Sequence, residues 1–550
     1  LSGAEKLEYI RALLNGPYPA KQLLRVILSP LKVSRFDDDE VHQRLECRYT
    51  ADPVSRTEQP PRYMELAMDA RECITEDDEE LEADVVVVGS GAGGAAMAAE
   101  LAEMGIATVI LEEGGFHQRA DFTGRPMDMF TKLYRDRGTT ATVGNCVIPV
   151  PMGRCVGGTT TINSGTCYRP PARVLGHWQR EMGLTDLTEA ELDPAFAKVE
   201  NVLQVTRAEP RYVGGVGDVV ARGCERLGWL RHGPLHRNAP DCDGQSLCIF
   251  GCPTDAKRST NVSYVPLALK YGANLIYRAR MERLLFDGGR VAGVVARASG
   301  GRRFLIRAKA VVLAAGTLMS PTLMLRQGLQ NSHGQVGRHL SIHPAVGVMA
   351  MFDQLIDGGR SIPQGYGVEE FHQEGLLFEG AFLPLDLSAG GVTLVGPQFT
   401  RIMENYRRMA FFGFLVEDTS RGRVRLGPGG HPLMTYWLNR NDVSRLKRGM
   451  EMLFQLYLAG GARAIYPMVP GFEEIHDMRD VERFRRTKLN ARDFELTAHH
   501  PLSTCRMGLD PRSSVVGQDN QVHHVPGLFV ADGSSLPSSP GVNPQVTIMA

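Results

Sequence analysis

The chain has 550 residues, 43% of them hydrophobic and 22% charged, which is globular make-up in a length suited to two or three interleaved domains. Lys and Arg number 61 against 62 Asp and Glu, so no net charge argues for nucleic acid as a partner. No apolar run reaches about 18 residues, so no membrane-spanning helix is expected. Ten cysteines, seven of them scattered, do not make a small disulfide framework, and a reducing, cytoplasmic setting is expected.

In chain order, residues 1–80 are expected to form an N-terminal extension. Leu7, Ile10, Leu13 and Leu14 recur there at helical spacing. The basic, apolar segment 20–33 is read as a helix docked on the body and interrupted at Pro30, with peripheral membrane contact as the other reading. After the acidic run 77–80, Val85 to Val88 read as a buried parallel strand. A helical pattern follows to Met104, and Thr108 to Leu111 are the next strand, which completes a βαβ unit. Short strands are expected at 274–277, 290–296 and 310–313, then a strand-rich stretch with strands at 347–352, 422–426 and 432–438. A helix is expected over 442–459, capped by Asp442, ended by Gly460, and burying Val443, Leu446, Met450, Leu453 and Tyr457.

The turn between the first strand and helix is Gly89-x-Gly91-x-x-Gly94, with Glu112 at the end of the second strand. Strand, glycines, helix, strand and acid in that order suit a dinucleotide: pyrophosphate at the helix N-terminus, ribose on the carboxylate. Three further segments carry chemistry. They are GRCVGGTTTINSG at 153–165, HHPLSTCRMG at 499–508, and GLFVADGS at 527–534 continuing to Gly541-Val542-Asn543-Pro544. A His and an Asn from separate loops can hold an alcohol oxygen between them and leave its C–H pointed at a redox cofactor.

These segments, with VVLAAGTLMSPTLML and VGRHL, resemble the glucose–methanol–choline (GMC) family of FAD oxidoreductases from about residue 81 to 550, and are most similar to its bacterial sterol and long-chain alcohol oxidising members. The resemblance implies an α/β fold. A Rossmann-like FAD domain would be assembled from 81–170, 270–345 and 490–550, beside an antiparallel-sheet substrate domain from 171–269 and 346–489. It implies FAD bound through Gly89, Gly91, Gly94 and Glu112 at the ADP end. Gly157, Gly158 and Asn163 would lie along the flavin and pyrophosphate, with Asp532 and Gly533 at a later turn. It implies His500 as the catalytic histidine, in preference to His499, and Asn543 as its partner. The expected reaction is oxidation of a bulky apolar alcohol by hydride transfer to flavin N5, with His500 as base.

Cys242, Cys248 and Cys252 leave two readings open: ligands of a [3Fe–4S] cluster, or a set of structural thiols. With a cluster, the chain would be a sugar dehydrogenase passing electrons to a partner protein. Without one, oxygen or a quinone would be the acceptor.

Overall fold

Four consecutive valines, Val85 to Val88, suit a strand covered on both faces, as in parallel sheets flanked by helices. In the computed structural model, which describes residues 2–14, 16, 18–47, 51–52, 59–329, 333–380 and 382–550, they close strand Glu79–Val88. Val86, Val87 and Val88 are buried, and each such side chain contributes about 1.5–3 kcal/mol through its loss of water contact. This strand is central in an eight-stranded sheet. The order is Ala67–Asp69, Asn274–Tyr277, Thr108–Glu112, Glu79–Val88, Arg303–Leu313, Arg290–Ala298, Ala279–Asp287, with Leu528–Val530 beside Arg303–Leu313. The first five strands and Leu528–Val530 run parallel, and the remaining two form an antiparallel meander. Helix Ala92–Glu103 covers one face, burying Ala95, Ala96, Ala98, Ala99 and Ala102. Side chains this small let the helix lie close to the strands.

The boundary expected at residue 81 falls inside this sheet, because strand Ala67–Asp69 already pairs with Asn274–Tyr277. Three residues are too few to show a period, so the sequence pattern does not reveal this strand. Strand Ala141–Gly144, expected in the FAD domain, pairs instead with Pro432–Tyr436 in a separate five-stranded sheet.

The third large sheet carries strands Ala464–Tyr466, Pro344–Met351, Met409–Val416, Leu376–Glu379, Tyr366–Val368 and His232–Pro234 in that order, with Thr497–Ala498 beside Pro344–Met351. All of its pairings are antiparallel. Helix Arg440–Gly460 packs against it through Leu446, Met450, Leu453 and Tyr457, and the Tyr457 hydroxyl donates to Val348 O at 2.8 Å. The cap is Asn439, whose side chain accepts from Asp442 N at 2.9 Å, and the helix ends at Gly461 (φ +94°), not Gly460. Asp442 is buried within the first turn, where its carboxylate accepts the backbone N–H and hydroxyl of both Thr419 and Ser420.

Helix Tyr18–Phe36 runs through Pro30 without a break. Pro30 is exposed, so the backbone bond it removes is replaced by solvent. The helix is docked as expected: Lys21 (Nζ at 3.2 Å) and Arg25 pair with Glu495, and Ser29 Oγ donates to Gly390 O. Lys32 Nζ donates to Val392 O and Leu394 O at 2.7 and 2.9 Å. Leu23, Val26, Ile27 and Leu31 are left on its outer face. Among the described residues no helix is long and apolar enough to cross a membrane. Asp442→Ala leaves buried donors without an acceptor, so a loss of about 3 kcal/mol is expected. A denaturant midpoint unchanged from wild type would contradict this.

Candidate active site

Gly89 follows the central strand with φ +111°, and a Cβ there would stand 2.3 Å from Ala314 O; only glycine fits. At Gly94 a Cβ would meet Gly89 O at 2.1 Å and Ala314 Cβ at 2.8 Å, which sets how near helix Ala92–Glu103 lies to the sheet. Gly91 differs. It caps that helix without a side-chain bond, and a Cβ there would point into open space. That space is a cavity, and the unsatisfied N–H groups of the first helical turn suit an anion there.

The cavity, about 430 Å³, runs from Gly89, Gly91 and Glu112 past Gly158, Asn163, Asp532 and Gly533 to His500 and Asn543. Of the residues expected at the site, Gly94 and Gly157 pack behind the wall instead of lining it. Glu112 is buried, accepts from Ser90 N (3.1 Å), Ser90 Oγ (2.7 Å) and Gly114 N (2.8 Å), and is pushed up by that burial. Glu113, not singled out from sequence, also lines the cavity. Burial raises its carboxyl, but Arg135 and Arg154 outweigh this and hold it below the usual range.

The loop 153–165 is braced from beneath. Fully buried Lys257 donates to Thr161 O (2.8 Å), Asn163 O (2.6 Å) and Cys248 O (2.8 Å), and burial pushes it down to about 8. Arg237 donates to Ser164 O at 2.6 Å. Asn163 itself bonds Gln545 Oε1 at 3.0 Å. Asp532 sits at the start of helix Gly316–Arg326, accepting from Gly316 N at 2.8 Å and Ser534 N at 2.7 Å.

At the far end the sheet register matters. Pro344 pairs with Ala498, so the residues beyond that pair, His343 on one side and His499-His500 on the other, meet. His343 Nδ1 is 3.1 Å from His500 Nδ1, and Gly541 N donates to His343 Nε2 at 2.9 Å. Asn543 Nδ2 donates to Glu379 Oε1 at 3.0 Å and lies 3.4 Å from His500 Nε2. Glu379 Oε2 and Asn543 Oδ1 are buried without a hydrogen-bond partner. His499 also lines the cavity, but its ring nitrogen lies near Thr497 Oγ1 (3.3 Å). Burial pushes His343 down to about 3. Burial, with His343 and His499 adjacent, takes His500 well below its usual value. The His343 and His500 rings are therefore neutral near pH 7. Burial pushes Glu379 up to about 7. Glu379 and His343 were missed in the sequence. The one signal for Glu379 was an acid at the end of the apolar run Leu376-Leu377-Phe378.

The three clustered cysteines do not fit a metal cluster. Cys242 and Cys248 both approach the Arg237 guanidinium, and Cys252 Sγ accepts from Lys257 N at 3.3 Å. Among the described residues no group of three or more His, Cys, Asp or Glu is arranged to hold a metal ion. The ten cysteines are free thiols.

Two family models, each described as GMC oxidoreductase, match residues 130–345 and 418–550. A GMC-type oxidoreductase of Mycobacterium tuberculosis is 36% identical over 470 residues, covering 85% of this chain and 74% of that protein. A long-chain-alcohol oxidase of Arabidopsis thaliana is 29% identical over 501 residues, covering 85% and 66%. The solved structure of an Aspergillus oryzae formate oxidase, concerned with FAD modification, shares the fold at TM-score 0.64 and 16% identity, covering 86% of this chain and 97% of that one.

Gly91→Leu fills the open cavity beside the glycine turn without a backbone clash. Purified protein is expected to be colourless, with an unfolding temperature equal to that of the wild-type apoprotein. A yellow variant would contradict this.

Proposed function

The chain belongs to the GMC oxidoreductase family of FAD-binding oxidoreductases, and from that premise we propose that it oxidises a bulky, apolar alcohol, a sterol or a long-chain alcohol. One observation carries the reading. A single cavity joins the glycine turn of a dinucleotide fold to a part-buried His500–Asn543 pair. Gly89, Gly91 and Glu112 would hold the ADP portion of FAD, and Gly158, Asn163, Asp532 and Gly533 its flavin portion. FAD, when bound, supplies a hydride acceptor for the alcohol carbon.

His500 and Asn543 engage the hydroxyl and set which hydrogen of the substrate faces the cofactor. Asn543 and Glu379 are buried, so polar contacts beside them act in a medium of low dielectric. Phe130, Ile249, Leu383 and Leu387 also line it, and such walls suit an alkyl or steroid body better than a sugar. The likeness to a long-chain-alcohol oxidase points the same way. The alternative of a sugar dehydrogenase feeding a cluster loses support, because Cys242 and Cys248 share the buried Arg237 guanidinium and Cys252 accepts one backbone amide. Oxygen or a quinone is then the proposed electron acceptor. The exposed Leu23, Val26, Ile27 and Leu31 on a helix with four basic and no acidic residues favour peripheral contact with a membrane.

Under anaerobic conditions a long-chain primary alcohol or a sterol is expected to bleach the flavin, and glucose to leave it yellow. Bleaching by glucose alone would reverse the substrate assignment. His500→Ala is expected to keep its FAD while flavin reduction slows by about 10²–10⁴-fold; stopped-flow reduction at the wild-type rate would remove His500 from the reaction.

A further inference from the structure

We infer that Glu379 takes the proton of the substrate hydroxyl, and that His343 locks His500 as a hydrogen-bond donor to the alcohol oxygen instead of its base. The inference rests on the proposed alcohol oxidation and changes the role expected for His500.

The argument is one of donor polarity. A backbone N–H can only donate, so the Gly541 amide, 2.9 Å from His343 Nε2, requires a lone pair on that nitrogen. A neutral imidazole has one N–H, so the His343 proton is on Nδ1. That N–H faces His500 Nδ1 at 3.1 Å, which must therefore accept it. The one proton of neutral His500 is then on Nε2, the atom nearest Asn543. Depressed proton affinity at both rings keeps either from becoming a cation that would escape this logic.

The backbone holds the lock in place. His343 has φ +48°, and the N–H groups of Ile342 and His343 donate to the buried Asp418 carboxylate at 3.1 and 3.3 Å. The Pro344–Ala498 pairing keeps the two rings in register.

The Asn543 amide is oriented by Glu379, since its Nδ2 donates to Oε1 at 3.0 Å. Two donors, His500 Nε2–H and Asn543 Nδ2–H, thus face each other at 3.4 Å and cannot bond to one another. They suit a shared acceptor, and an alcohol oxygen gaining negative charge is one. No lone pair on His500 then remains for the hydroxyl proton. The carboxylate of Glu379 has lone pairs to spare: Oε1 accepts from Asn543, the Gln364 amide is its other neighbour, and the buried side chain lines the cavity. The groups around it are the Asn543 and Gln364 amides and the Tyr168 phenol, whose hydroxyl bonds Glu369 at 2.8 Å. In the step, the O–H bond breaks with its proton passing to Glu379. The C–H pair would leave as hydride to FAD, which when bound supplies the acceptor, the C–O bond would become C=O, and Glu379 would end as the neutral acid.

Burial pushes Glu379 up to about 7. Flavin reduction should therefore rise with pH through that value, while the neutral histidines add no titration there. The test uses holoenzyme. In E379Q, with flavin content equal to wild type, anaerobic reduction by a long-chain alcohol should slow by about a hundredfold or more and lose the rise near pH 7. Glu379→Asp should restore the pH dependence. E379Q reduced at the wild-type rate with the same pH profile would overturn the inference. Independently, ¹⁵N spectra of histidine-labelled holoenzyme should show His500 protonated at Nε2. His343→Phe should shift that proton toward Nδ1, and His343→Gln, whose amide can donate, should not. A wild-type His500 protonated at Nδ1 overturns the lock even if E379Q folds poorly. If no alcohol reduces wild-type flavin, the proposed function fails, while the tautomer result still decides the role of His343.

Discussion

The arrangement depends on a place where backbone meets backbone with no side chain between. Strands Glu79–Val88, Arg303–Leu313 and Leu528–Val530 end at one level, Val88 beside Leu313 and Leu313 beside Val530. The turns that leave them converge: a Cβ at Gly89 would stand 2.3 Å from Ala314 O, and one at Gly93 2.0 Å from Ala531 O. Because no Cβ intervenes, helix Ala92–Glu103 starts close above the strand ends and opens its free N–H groups into the cavity. The same convergence puts Asp532 at the start of helix Gly316–Arg326. A bulkier turn at Gly89 would displace several walls of the cavity together.

The polar end of the cavity follows from a second sheet. Its register joins His343 to His500, and the end of strand Leu376–Glu379 sets the carboxylate next to Asn543. Burial acts on these groups in opposite senses. It strips the imidazoles of their charge and brings the carboxyl close to neutrality. A site with neutral donors and one tunable acceptor results chiefly from burial, with the neighbouring rings adding to the effect at His500.

Much of this could be read from the sequence where local pattern and chemistry coincide. Four valines before a glycine turn, an acid after the next strand, and a histidine with an asparagine in separate loops were visible because each carries its own short-range signal. The residues missed depend on distant partners. Glu379 is one acid in an apolar run, and nothing near it in the chain announces Asn543 164 positions away. His343 gains meaning only through Gly541 and His500. Asn439 was passed over as a cap because Asp442, the more familiar signal, is engaged by Thr419 and Ser420. Pro30 was read as a break because the exposure that makes it harmless is a property of packing.

Helix Tyr18–Phe36 lies outside the segments matched by the family models, yet it holds two segments close in the chain to residues that line the cavity. Through Lys21 and Arg25 it holds Glu495, five residues before His500. Through Ser29 and Lys32 it holds the stretch Gly390 to Leu394 that follows Leu383 and Leu387. The ion pairs are largely shielded from solvent, so salt weakens them little. The helix therefore ties together two segments that lead into the cavity lining, at Leu387 and at His499-His500, from a position that itself lines none of the cavity.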